Sequence, residues 1–350
     1  MKILFIVHRF HTNLFFPIKA LLDAGHNVVM LVPDIREFKL LPEDHTLLKP
    51  DYIKGKDLTI KFIIKKLKDI NPDLLIQRYF EGKWRYFSLI ALLKGVKRIE
   101  YNQRPYLHKN LLKVYLSPIR RLFRCHPFYR FTPVLGIQGN KPELFTYYIP
   151  FPIEVLDLAK DRIYCPDNII RIMFVGKFGQ ERKKHIFLLD VLESLNCSNI
   201  EVSFFGVSSD YHLSDKKYHS EFLRRCKVSS LKISIMESVK YKDMLESYLN
   251  HDLLICPSIR EPFGISVLEA LASGCPAIVS NDNGSAGYVE NSVNGFVFKA
   301  NNFNELRNHV EFFINNPGKI REYGVNAIEK IRKEHSLQDF AKKIVKYGCK

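Results

Sequence analysis

No pair of cysteines in this 350-residue sequence is spaced as C-x-x-C, and the seven that occur stand apart at 125, 165, 197, 226, 256, 275 and 349. That pattern indicates neither a thiolate zinc site nor a disulfide framework, and it fits a reducing compartment. Long apolar runs are missing too. The first segment, MKILFIVHRF, is interrupted by His8 and Arg9 before it reaches the length of a signal-peptide core, and no later stretch approaches a bilayer-spanning length. The chain is expected to be soluble and cytoplasmic, or attached only peripherally to the cytoplasmic face of a membrane. The loop after the first predicted strand carries no G-x-G-x-x-G, so the dinucleotide-binding fingerprint is missing where it would have to stand. No cluster of metal ligands stands out, and no metal is expected. Acidic residues are also short: 37 Asp and Glu face 53 Lys and Arg, a net charge of +16. The excess suits an anionic lipid surface, a polyanion or a phosphorylated ligand and says nothing about fold. Nucleic acid would rest on charge alone and is not expected as a partner.

What is present is core material. At 46% hydrophobic content the chain can fill two domains. Ile3–Val7, Leu14–Ala24 with Gly25 behind it, and Asn27–Val32 read as strand, helix and strand, the opening of a parallel sheet with covering helices. Leu58–Asp69, Leu74–Gln77, Phe87–Lys94 and Lys97–Tyr101 continue the alternation. From His108 to Arg130 cations such as Lys113, Arg120, Arg121 and Arg124 stand among leucines, and the pattern predicts an amphipathic helix pair broken at Pro118. Two readings stand for it: a solvated basic face, or a surface resting on anionic phospholipid. Tyr147–Pro152 with the polar run 160–168 reads as a joint, after which strands and helices alternate again. In that half Val207–Ser220 reads as a polar insertion before a short helix, and Asn294-Gly295 as a hairpin turn. The fold class is α/β, with one domain over 1–155, a second over 165–325, and a helical segment at 326–350 that packs back toward the first.

The segment R-E-P-F-G-I-S-V-L-E, Arg260 to Glu269, places two carboxylates either side of a turn. Glu261 follows the predicted Leu253–Cys256 strand, where open α/β sheets bind ligands, and Gly264 lets a ligand approach the first N–H groups of the next helix. Glu269 lies inside that helix, where burial would be costly without donors; ribose hydroxyls would supply them, and the other reading is an exposed face, or a carboxylate held by a neighbouring lysine or backbone donors. Upstream, F-V-G-K-F-G-Q-E-R-K-K-H sets Lys177 at a strand end and Arg182, Lys183 and Lys184 at a helix start, where the dipole disfavours cations and an anion between them would offset the cost. A solvated basic loop is the other reading. Gly284 and Gly287, after the next strand, fit a loop closing over a ligand.

The block E-P-F-G-I-S-V-L-E-A-L-A-S-G-C-P-A-I-V-S, with F-V-G-K-F upstream and N-G-F-V-F downstream, resembles the retaining GT-B glycosyltransferases of family 4. The resemblance is clear from Arg171 to Phe298 and compatible in topology from Met1 to Pro152. It implies a GT-B fold, two Rossmann-like domains facing across a cleft, with the acceptor on the first and the nucleotide sugar on the second. It further implies a UDP- or GDP-sugar donor, no separate cofactor, and a glycan or lipid-linked acceptor of cell-envelope polysaccharide or lipopolysaccharide synthesis. By resemblance Glu261 lies against the donor sugar and Glu269 against the ribose, while Gly176 and the backbone of Phe263, Gly264 and Ile265 help hold the donor. Lys177 stands where family members usually carry arginine. Lys183 matches the family lysine, with Lys184 as alternative because the basic loop is longer than usual. His108 resembles a histidine near the sugar, or is a satisfied surface histidine. Arg9 to Asn13 read R-F-H-T-N where many members are glycine-rich, which leaves the acceptor open. A nucleotide-sugar epimerase or hydrolase of the same architecture and a non-catalytic membrane-surface binding protein are the competing classes.

Overall fold

The computed structural model describes residues 1–8, 12–34, 47–103, 107–108, 110–134, 141–155, 157–208 and 213–348, without the side chains at 12, 107, 108, 158, 160, 213, 214, 241 and 242. Contacts divide the chain into Met1–Pro152 with His335–Lys350, and Ile153–Glu334.

Apolar runs of four to seven residues become strands in the first unit, and the longer amphipathic runs between them become helices. In order these are β1 (Lys2–Ile6), α1 (Phe15–Asp23), β2 (Asn27–Pro33), β3 (Asp51–Ile53), α2 (Ile60–Ile70), β4 (Leu74–Gln77), α3 (Arg85–Leu93) and β5 (Lys97–Tyr101). There follow β6 (Leu107–His108), α4 (Leu111–Tyr115), α5 (Ser117–Phe123), β7 (Tyr129–Thr132), β8 (Lys141–Pro142) and β9 (Thr146–Tyr148). Seven strands pair in parallel in the order β3-β2-β1-β4-β5-β7-β9, while β6 and β8 form a separate antiparallel pair. Because side chains alternate across a strand, Ile3 and Phe5 enter one core and Leu4 and Ile6 another. Both faces of the sheet are thus covered, as parallel sheets require.

The second unit repeats the scheme with β10 (Ile170–Val175), α6 (His185–Glu193), β11 (Ile200–Gly206), α7 (Leu213–Val228), β12 (Lys232–Glu237) and α8 (Tyr241–Leu249). It continues with β13 (Leu253–Cys256), α9 (Ile265–Ala272), β14 (Ala277–Ser280), β15 (Gly295–Phe298), α10 (Phe303–Asn315) and α11 (Gly318–Glu334). All its pairings are parallel, in the order β12-β11-β10-β13-β14-β15. The order reverses between β10 and β13, and such a switch point is where open α/β sheets bind ligands at their carboxyl edge. The last helix, α12 (Leu337–Gly348), joins the first unit, with Phe340 and Ile344 buried in the core around Ile3 and Phe5. Each of those two side chains contributes about 1.5–3 kcal/mol by burial. His335 fixes the start of this return by donating from Nδ1 to the Phe151 carbonyl at 2.7 Å.

Several expectations are corrected. The helix pair breaks at Leu116, and Pro118 stands in the first turn of α5, where a missing N–H costs no helical bond. Tyr129 and Arg130 open β7 and do not prolong that helical run. The polar run 207–220 is in large part helix, because α7 starts at Leu213; its polar surface hides the periodicity, while Phe222, Leu223 and Cys226 supply the packed face. Asn294-Gly295 is no hairpin turn, since β15 runs parallel to β14 with Gly295 opposite Ala277. A Cβ at 295 would stand 2.0 Å from the Ala277 carbonyl oxygen, so the glycine answers a close approach of strands. The boundary expected at 325/326 falls inside α11, which continues to Glu334.

Candidate functional site

At the end of β10 the Gly176 N–H donates to Phe205 O at 2.8 Å, and Lys177 follows, half-buried. The chain then turns through a 3-10 segment, Glu181–Lys183, into α6. Lys183 and Lys184 part company here. Lys184 is the N-cap of α6 in the left-handed region, at φ 66°, whereas the stem of Lys183 lies across Gly176, so that a Cβ at 176 would come within 3.2 Å of Lys183 Cδ. Directly after them His185 is enclosed by Phe174 and Phe222, and burial, with Lys183 nearby, pushes its imidazole down to about 3. His185 is therefore neutral packing and offers no proton near pH 7.

Beyond β13, the next strand of the switch point, the chain reaches Glu261. Its backbone is held by two hydrogen bonds, from its own N–H to Asp282 O at 3.0 Å and from Gly284 N–H to its carbonyl at 2.9 Å. Its carboxylate is only 11% exposed and accepts at Oε2 from Arg182 Nη1 at 2.6 Å and from Lys183 Nζ at 2.7 Å. Burial alone would raise its pKa; the Lys183 charge and hydrogen bond, then those of Arg182, outweigh burial and hold the carboxyl below the ordinary carboxylate range. The Arg182 carbonyl also accepts from Ile259 N–H at 2.8 Å, so the basic loop and the Glu261 loop are tied through both backbone and side chains.

Between the two carboxylates Gly264 is the N-cap of α9 at φ 72°. A Cβ there would meet Asn283 Oδ1 at 2.6 Å. Asn283 is itself anchored, donating to Cys256 Sγ at 3.1 Å and accepting from Ser285 Oγ at 2.8 Å. The first N–H groups of α9, at Ile265 and Ser266, have no acceptor within the helix and carry its positive end. The Phe263 ring is buried, edge-on to Tyr288 at 6.0 Å, so Phe263 offers a ligand only its backbone. Gly284 packs so tightly that a Cβ would stand 2.0 Å from the Pro262 carbonyl oxygen. Gly284→Ala is accordingly expected to cost about 1–3 kcal/mol and displace the Glu261 turn. Urea unfolding tests this, and an unchanged midpoint would mean that the Pro262 carbonyl yields freely.

Glu269 is 6% exposed in α9 and accepts from Tyr248 Oη at 2.9 Å; the Tyr248 ring is wholly buried. An exposed position for Glu269 is thereby ruled out. Arg182 as partner of Glu261, Asn283 under Gly264 and Tyr248 on Glu269 are what sequence reading missed; the E-R-K-K cluster signalled the first, and nothing local signalled the others. His108 falls in β6, with its side chain outside the described residues, and residues 9–11 of the N-terminal loop also lie outside them. No group of His, Cys, Asp and Glu fit to hold a metal occurs among the described residues.

The site lies within residues 162–333, which match the family model of the glycosyl transferases group 1. An uncharacterized glycosyltransferase of Methanocaldococcus jannaschii is 31% identical over 115 residues, 33% of this chain and 29% of that protein. The capsular polysaccharide biosynthesis glycosyltransferase CapM of Staphylococcus aureus is 28% identical over 96 residues, 27% of this chain and 25% of CapM. Each match thus spans less than a third of the relative's length. Among solved structures, HepE of Anabaena, crystallised in complex with UDP and glucose, superposes with a TM-score of 0.75 at 15% identity, over 99% of both chains. The chain therefore has the GT-B fold, with a glycosyl transferases group 1 domain over residues 162–333.

Proposed function

We propose that the protein is a retaining glycosyltransferase that moves a sugar from a nucleotide-sugar donor to a glycan or lipid-linked acceptor of the cell envelope. The observation that carries the reading is the Arg182–Glu261–Lys183 cluster at the switch point of the second sheet, beside the N-terminus of α9. Breaking a sugar–phosphate bond leaves a nucleoside diphosphate anion and a sugar with oxocarbenium character. A lysine ammonium has three N–H donors, and Glu261 accepts a hydrogen bond from one of those of Lys183, so the same cation can also meet the diphosphate as charge grows on it. Lys177 and the Ile265 and Ser266 N–H groups add to that positive field. Glu261 would accept from hydroxyls of the donor sugar, and Glu269 from those of the ribose. The two carboxylates have separate tasks, unlike the close pair of a retaining glycosidase.

The UDP bound to HepE favours UDP over GDP as the donor's nucleotide, and the capsular relative favours an envelope polysaccharide product. A lipid-linked acceptor would set the protein at the cytoplasmic face of an anionic membrane. A panel of nucleotide sugars scored by thermal unfolding tests the proposal, since a ligand stabilises the state it binds. A UDP-sugar is expected to raise Tm; no nucleotide shifting Tm at millimolar concentration would overturn it. Turnover of labelled donor without acceptor would point instead to a hydrolase or epimerase.

A further inference from the structure

We infer that α4 and α5 form a face by which the protein docks on an anionic phospholipid surface; the inference deepens the membrane-side acceptor read above and rests on it for its purpose. A helix on a soluble domain ordinarily turns its apolar stripe inward. Here the stripe points out. The inward positions of the two helices are Val114, Ser117 and Arg121. Arg121, 2% exposed, donates to the Phe128 carbonyl at 2.6 Å, to Ser117 Oγ at 3.2 Å and to the Leu144 carbonyl. Next to it Arg130 is buried between Glu100 at 2.8 Å and Glu143 at 2.5 Å. A guanidinium staple and an ion network thus hold the helices, and their large apolar side chains, Val114 apart, are not spent on packing.

Those side chains are Leu112, Leu116, Ile119 and Phe123, at i, i+4, i+7 and i+11, with Tyr115 and Leu122 beside them. Leu122 is 72% and Phe123 82% exposed. Lys113, Arg120 and Arg124 repeat the same spacing one position further round and so line one border of the apolar face. No Asp or Glu occurs from Leu111 to Arg124. Arg120 also pairs with the buried Glu143 at 3.8 Å, while apolar side chains with cations along one border match the boundary between headgroups and acyl chains of an anionic leaflet, where insertion and attraction act together. A second copy docking by the same face would instead bring cations toward cations.

The full chain should therefore sediment with phosphatidylglycerol vesicles far more than with phosphatidylcholine vesicles, and less as salt rises. The double variant L122S/F123S is expected to lose binding about tenfold or more, and K113E/R124E to lose its preference for the anionic lipid. All four positions are exposed, so both variants should keep the wild-type Tm and the wild-type Tm rise with UDP. Equal sedimentation of wild type and L122S/F123S would overturn the proposal. So would a lipid-independent dimer abolished by L122S/F123S, which would assign the face to self-association. Failure of UDP to shift Tm, with vesicle binding intact, would strike the transferase reading and leave the docking face standing.

Discussion

Lys183→Ala is expected to lower kcat by about 10²–10³-fold, with a smaller change in KM, in an assay of sugar transfer from the donor that the thermal panel selects. The magnitude is that of removing one preorganised electrostatic partner from a leaving group, about 3–4 kcal/mol of transition-state stabilisation. The split follows because the diphosphate carries more charge on the leaving oxygen in the transition state than in the bound donor. Lys183 is suited to this by its anchoring: its stem crosses Gly176 and its Nζ is held 2.7 Å from Glu261. Lys184, the left-handed N-cap of α6, is the control, and Lys184→Ala is expected to stay within about threefold of wild type. Equal losses at the two positions would sink the assignment. Arg182 should soften the loss only in part, because its guanidinium is also committed to Gln180 at 3.0 Å.

The same cluster fixes a pH signature. The folded-state pKa of Glu261 is depressed, so its ion pairs contribute stability above the unfolded carboxylate pKa, and that contribution is lost as pH falls through the lower folded value. Near neutral pH the bridge should be insensitive to pH. The Tm difference between wild type and Glu261→Gln should accordingly be flat from about pH 6 to 8 and shrink in acid. A difference that grew in acid would give the cluster the opposite sign.

The parts of this site visible in the sequence were those made by neighbours in the chain. Lys177 at a strand end, Gly264 before α9 and the Glu261–Glu269 spacing depend on local elements, and β13 and α9 have the bounds their sequence suggests. The site's supports depend on pairing over long separations. Arg182 meets Glu261 because β10 and β13 are adjacent at the switch point; Asn283 lies under Gly264 because the β14 loop bridges back to Glu261. Periodicity cannot announce such meetings. The same limit explains β15: Asn-Gly between apolar residues is a hairpin signal locally, but parallel pairing with β14 overrides it. It explains α4 and α5 as well, where charge and leucine spacing gave the helices but not which face would be inward, since a buried arginine holds them.

Glu269→Ala is expected to weaken binding of UDP about 10²–10⁴-fold, measured by calorimetry, while Glu269→Gln, which keeps shape without full charge, loses less. A carboxylate accepting from two ribose hydroxyls makes two charge-assisted hydrogen bonds, each contributing about 1.5–3 kcal/mol, and tenfold in Kd corresponds to about 1.4 kcal/mol. Tyr248 acts here through Glu269. Its buried hydroxyl donates to Oε2 at 2.9 Å and so turns the carboxylate while satisfying part of a charge that burial would penalise. Tyr248→Phe should therefore weaken UDP binding about tenfold and lower stability by about 1–3 kcal/mol. The decisive readout is the double variant: with Glu269 already alanine, Tyr248→Phe should no longer affect UDP affinity, because the group it positions is gone. Additive losses would give Tyr248 a role of its own toward the nucleotide, and unchanged affinity in Glu269→Ala would remove the ribose from Glu269 altogether.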